Sequence, residues 1–359
     1  MRKISHKRQM WLLRRQRVWC KGHKFLAGVA KTKTKPKIKR DVLVAPGYFC
    51  LASSNNVRSE ASAQFLAFLR SIRDFRGSGL CIDMSRVQRM VANATLLFKA
   101  ELSYQIQRGV SVGGVMPRKA RTHQVLTQTG LTRMLGLPEC KHVDREDTVH
   151  WRHASGSWSV TQPSHLSSLL GGNEQQNALL YTGMIESVAN CIEHAYREHP
   201  KRRAFGAGHD GWWGFQQLRD GVLSTCICDL GIGIARSLPL KLADEPTLYK
   251  KLVALFNHLR GDDVRGILAA IEYGRSSTGL VQRGKGLRDA HRVIDDAGEG
   301  HFHIFSNQGM YIYRKERGKE PTSGTRRLAE SIEGTIYYWQ YPLQSQGAVG
   351  VIPIGGVLS

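Results

Sequence analysis

Val222-Leu-Ser-Thr-Cys-Ile-Cys-Asp229-Leu-Gly-Ile-Gly233-Ile decides how this 359-residue chain is read. The run from Val222 to Cys228 is β-prone and largely apolar and reads as a strand. A carboxylate ends it at Asp229, and Gly231 and Gly233 supply backbone that can turn tightly straight afterwards. A buried acid over a glycine turn can accept a hydrogen bond from an exocyclic amine. The same residues also suit a plain strand-to-helix turn with Asp229 capping the next helix.

Upstream, the apolar stripe of Leu179, Leu180, Met184, Ile185, Val188 and Ile192 predicts a helix over Asn177–Glu198, stopped by Pro200. On it Glu186, Asn190 and Glu193 are spaced i, i+4, i+7 and share one face. An amide oxygen is a hard ligand suited to Mg²⁺, and a carboxylate one turn away can orient or deprotonate a water. A solvated polar face would carry the same residues. Downstream, Gly274-Arg-Ser-Ser-Thr-Gly279 is followed by Arg283-Gly-Lys-Gly-Leu287 leading into a helix. Backbone N–H groups at Gly284 and Gly286, with the helix N-terminus, make an anion site. Ser276, Ser277 and Thr278 can donate to phosphate oxygens, and Arg275, Arg283 or Lys285 can neutralise charge. A surface loop accounts for these residues equally well. Gly334-Thr335 then opens a strand reaching Pro342.

Taken in this order, the four segments resemble the GHKL ATPases, the superfamily of gyrase B subunits, heat-shock chaperones, histidine kinases and MutL. The resemblance implies a two-layer α+β sandwich of the Bergerat type that binds ATP and Mg²⁺. It assigns Asn190 to the metal, Glu186 to the role of general base, and Asp229 to the adenine amino group above Gly231 and Gly233. It places Ser276, Ser277 and Thr278 in a lid, and Gly284, Lys285, Gly286 and Leu287 around the phosphates. Thr335 reaches adenine, often through water.

Residues 41–140 have an α/β rhythm of their own. Strands are predicted at Val42–Ala45, Leu80–Asp83 and Val110–Gly113, and helices at Ser59–Ile72, Asn93–Gln107 and Thr122–Thr129, the last closed by Gly130. Cys81-Ile-Asp-Met-Ser-Arg-Val87, Ala94-Thr-Leu-Leu-Phe-Lys-Ala100, Gly114-Val-Met-Pro117 and Leu126-Thr-Gln-Thr-Gly-Leu131 resemble a STAS domain, the fold of bacterial anti-anti-sigma factors. That family carries a phosphorylatable Asp-Ser-Ser-Gly where this chain reads Val91-Ala-Asn-Ala94. Without a hydroxyl there, the domain is expected to dock a partner. The expected layout is a basic tail (1–40), a STAS-like domain (41–140), a connector (141–174), a GHKL domain (175–345) and a C-terminal tail (346–359).

The formal net charge is +23, and residues 1–40 hold 15 Lys and Arg with no Asp or Glu. Trp11 and Trp19 stand among those charges, a combination that suits phosphate backbones and exposed bases. An anionic membrane surface, an organelle transit peptide and a solvated tail fit the same composition. No apolar run approaches transmembrane length. Seven cysteines lack a CxxC pair, and His142, His150, His153 and His165 lack metal-ligand spacing, which points to a reducing, cytoplasmic compartment. Three functions stay open. The first is a Mg²⁺-dependent ATPase acting as a regulator or effector, with a protein partner at the STAS-like domain or the lid. The others are an anti-sigma-like protein serine kinase, and a nucleic-acid scaffold with a structural nucleotide site. A homodimer is a further expectation.

Overall fold

The computed structural model describes residues 40–51, 56–143, 151–157, 174–196, 210–276 and 286–343, all of them in one compact unit, Arg40–Ser359. The fold is mixed α/β. Its front part runs Asp41–Val44 (β1), Tyr48–Phe49 (β2), Asn56–Arg73 (α1), Gly79–Asp83 (β3), Arg89–Met90 (β4), Ala92–Gln107 (α2), Ser111–Val115 (β5), Ala120–Gln128 (α3) and Leu131–Met134 (α4). Strands β1, β3 and β5 pair in parallel with β3 central, so Val42, Cys81 and Gly113 stand abreast. Parallel neighbours need crossovers, and α1 and α2 provide them. Gly130, in the left-handed region at φ +73°, closes α3 where the sequence places the stop.

The second part continues through Trp151–Ser157 (β6), Glu174–Asn190 (α5), a π turn at Cys191–Ala195, Asp210–Arg219 (β7), Val222–Asp229 (β8), Ile234–Lys241 (α6), Pro246–Ala254 (α7), Asp262–Ser276 (α8), Gly286–Ala297 (α9), Gly300–Ser306 (β9), Gly309–Lys315 (β10), Thr322–Arg327 (β11) and Thr335–Pro342 (β12). The strands form one antiparallel sheet in the order β11-β10-β9-β12-β8-β7-β6. Trp151–Ser157, in the stretch expected to connect two domains, is the edge strand of that sheet. The last strand of the described residues, β12, lies at the centre, between β8 and β9.

Alternation along the strands sorts side chains between the two faces. Thr335, Tyr337 and Trp339 share a face with Asp229, Ile227 and Thr225 of β8, and with Ser306, Ile304 and Phe302 of β9. Helices α5, α8 and α9 pack on this face. Trp339, fully buried, donates from Nε1 to the Ala290 carbonyl at 3.0 Å. The opposite face carries Cys226 and Cys228 on β8, and α2 packs there against β7 and β8. Placed between its own sheet and a second one, α2 is buried nearly all round, from Ala92 to Leu102. The six described cysteines form no disulfide, and Cys191, Cys226 and Cys228 are buried as small apolar groups.

The end of α1 ties the front part to the chain ahead of β12, where Arg70 pairs with Glu330 at 3.4 Å and Arg73 with Glu333 at 3.3 Å. Arg73, at the end of α1, is 5% exposed and bonds Glu101 of α2, which is 0% exposed, at 2.8 Å. The same guanidinium donates to the Ile332 carbonyl at 2.9 Å, just ahead of β12. Burial alone would depress ionisation of Arg73, but the Glu101 carboxylate raises its pKa above the ordinary value. Gln105 completes the joint by donating to the Ile72 carbonyl at 2.6 Å, satisfying an end carbonyl of α1. Removing one partner of such a pair strands a buried charge. Arg73→Met should therefore cost about 3–5 kcal/mol, and the double variant Arg73→Met, Glu101→Met should recover most of it. Urea unfolding of both proteins checks this, and a double variant no more stable than the single one would show that the pair is not the source of the loss.

Candidate functional site

Because β12 inserts between β8 and β9, its first residue, Thr335, is paired with Asp229, the last residue of β8. Glu186 and Asn190, one turn apart near the end of α5, face them across a cleft. Gly233 and Thr335 complete the wall, so three of the four sequence segments converge on one place. Asp229 is 4% exposed, and its Oδ1 accepts a 2.8 Å hydrogen bond from the Gly231 N–H. That bond holds the carboxylate over the turn that the two glycines make.

The turn itself is held tightly. Gly233 adopts φ +81°, and a Cβ there would run into the side-chain amide of Asn307. Asn307 donates from Nδ2 to the Ile232 carbonyl at 2.9 Å and to Asp263 Oδ1 at 3.2 Å, linking the turn to the start of α8. Gly231 lies against the Ala195 carbonyl, which also accepts from the Ile232 N–H at 2.8 Å. At the head of α6, the Ile234 N–H donates to Ser306 Oγ at 2.7 Å. Gly334 is pressed so closely on the Asp229 carbonyl that a Cβ would collide with it.

The helix departs from expectation directly after Asn190. Glu193 was expected to share the face of Glu186 and Asn190, as in an unbroken α-helix. Instead the chain widens into the π turn at Cys191–Ala195. The wider turn resets the phase: the Glu193 side chain is 65% exposed, and His194 takes a place on the cleft wall. Tyr196 secures this end by donating to the Gly211 carbonyl at 2.6 Å and accepting from the Leu230 N–H at 2.9 Å. Burial pushes its phenol well above the ordinary range, so it stays a neutral donor.

Several residues that reading the sequence missed also line the cleft. Tyr337, two residues beyond Thr335 on the same face, meets the side chain of Asn190, and burial raises its phenol strongly. The Lys241 ammonium, at the end of α6, lies 6.0 Å over the Tyr273 ring of α8. The period-2 alternation of β12 offered a signal for Tyr337. Lys241 and His194 gave none, since one depends on a helix docking and the other on the π turn. Ser276 is the last residue of α8, while Gly286 and Leu287 begin α9. Ser277, Thr278, Gly284 and Lys285 lie outside the described residues, as does the basic segment before Arg40.

A scan against protein-family models finds no match, and a search of curated proteins finds none. Among the described residues, no helix is long and apolar enough to cross a membrane, and no group of three or more His, Cys, Asp or Glu is placed to hold a metal. The cleft is narrow at about 80 Å³, against roughly 300–1,000 Å³ for small-molecule sites generally.

The crossing of Gly334 over Asp229 is directly testable. Gly334→Ala should destabilise the protein by about 2 kcal/mol or more, because strand and turn cannot both keep their positions. A urea midpoint within experimental error of the wild type would show that the two backbones are not pressed together.

Proposed function

We propose that the cleft is a nucleotide site of the GHKL type and that the protein binds and hydrolyses ATP with Mg²⁺. The observation that carries this reading is the convergence of Glu186, Asn190, Asp229, Gly233 and Thr335, drawn from three separate segments, on one cleft. Asp229 is buried, anchored from below by the Gly231 N–H, and set at a strand end on the cleft wall, where a carboxylate suits the adenine amino group. Thr335 is paired with it and adds a hydroxyl beside the same edge.

At the other side, Asn190 supplies an amide oxygen that would hold Mg²⁺. The ion needs few protein ligands, since it keeps waters and takes phosphate oxygens. When bound, it neutralises charge on the triphosphate. Glu186 lies one helical turn earlier, where its carboxylate orients a water and accepts its proton. Lys241 adds positive charge at the cleft wall. On this reading the front α/β part is the module that docks a protein partner, and the basic residues 1–40 contact nucleic acid independently of the cleft. The protein works in the reducing cytoplasm.

Titration calorimetry with Mg²⁺ tests the reading. Wild-type protein should bind ATP, and Asp229→Ala should weaken binding at least about tenfold, as expected when a hydrogen bond to a charged group worth about 1.5–3 kcal/mol is lost. Glu186→Gln should keep the affinity while phosphate release falls by about 10²-fold or more. Absence of adenine-nucleotide binding by folded wild-type protein would overturn the assignment. Transfer of phosphate to a protein hydroxyl, with none released to water, would make the protein a kinase instead.

A further inference from the structure

The face of the large sheet turned away from the cleft carries a second and larger cavity, of about 750 Å³. Helix α2 packs on this face against β7 and β8. Across β9–β12 the roof is the segment around Tyr48–Leu51 and the start of α2, and the cavity remains beneath it. This volume falls within the usual small-molecule range of about 300–1,000 Å³. Gly324 stands opposite Ile312 in the register and contributes no side chain to fill the space.

The lining has a definite chemistry. Phe49, Leu51, Phe305 and Met310 are buried apolar groups that form much of its wall. His301 and His303, alternate residues of β9, stack at 4.6 Å between ring centroids with planes 23° apart. Burial first, then the positive charges of Arg314 for His301 and of its neighbour and Arg326 for His303, hold them to about 4 and about 3. Both are therefore neutral at pH 7, and they present flat faces with ring nitrogens able to donate or accept. Arg326 and Arg89 supply the cationic lining, and no Asp or Glu lines the cavity among the described residues.

We propose that this cavity binds a small organic anion, an apolar ring system bearing one acidic group, with the rings against Phe49, Phe305 and the histidine pair and the anionic group toward Arg326. The arginines favour an anionic group over a cationic one at this wall. The proposal is independent of the nucleotide cleft on the other face.

Fluorescence titration with 8-anilinonaphthalene-1-sulfonate, a ring system carrying a single sulfonate, tests it. Wild-type protein should bind one probe saturably, and Arg326→Gln should weaken binding about tenfold, the loss expected when a charge-assisted contact worth about 1.5–3 kcal/mol is removed. The neutral probe N-phenyl-1-naphthylamine should bind both proteins alike. Ala61→Trp, which fills the cavity from α1, should abolish binding of both probes while circular dichroism stays unchanged. Ile312→Trp fills it from β10 and serves if the first variant does not fold. Unsaturable binding, wild-type affinity in Arg326→Gln, or full binding in a folded cavity-filled variant would each overturn the proposal.

Discussion

The insertion of β12 between β8 and β9 is the constraint on which the rest depends. The last strand of the described residues lies between two neighbours, with ladder bonds on both sides. Its entry passes over the Asp229 backbone, and only glycine at 334 lets the two chains come that close. From this single placement follow the pairing of Thr335 with Asp229, the meeting of Tyr337 with Asn190, and the burial of Trp339 against α9. Had β12 added at the sheet edge, Asp229 and Thr335 would not share a wall.

The front part is bound into the same structure. Helix α2 serves two sheets at once, which explains why a helix with a polar sequence in places, including Glu101 and Gln105, is buried almost all round. Each of those polar groups has work in the joint: Glu101 holds Arg73, and Gln105 satisfies the end of α1. Arg73 in turn bonds the backbone that leads into β12. The ion pair therefore connects the front helices to the entry of the strand that builds the cleft. A buried pair of this kind is weak as a source of net stability, yet breaking it is costly because it leaves a charge without solvent.

Much of this was legible in the sequence where local physics decides. The buried run Val222–Cys228, the apolar stripe of α5 and the closure of α3 by Gly130 all depend on near neighbours, and the structure places them as the patterns suggest. The front elements fall within a few residues of expectation for the same reason. The π turn was not legible. Its cause is tertiary: Tyr196 reaches Gly211 and Leu230, and the Ala195 carbonyl meets Ile232, so an ideal helical phase could not satisfy all of them. The capping of α6 by Ser306 was hidden in the same way, since 72 residues separate donor and acceptor. The strand at Trp151–Ser157 was masked by polar composition, and edge strands carry weak patterns.

Strand alternation gives the two faces of the sheet a shared mechanical basis. Tyr337 lies in the cleft, and Tyr338, its neighbour in the chain, lines the cavity behind it. On β9, Ser306 holds the head of α6 while Phe305 faces the opposite way into the cavity. A packed sheet is not freely deformable, so a shift of β9 or β12 that widens one side must be felt on the other. Of the strands that line the cleft, β12 is the one that also lines the larger cavity, through Tyr338 and Gln340. Occupation of either side by a ligand that prefers one position of β12 would bias the other by its differential affinity for the two states. The single residue step from one face to the other is what makes such coupling physical, since no intervening layer has to transmit it.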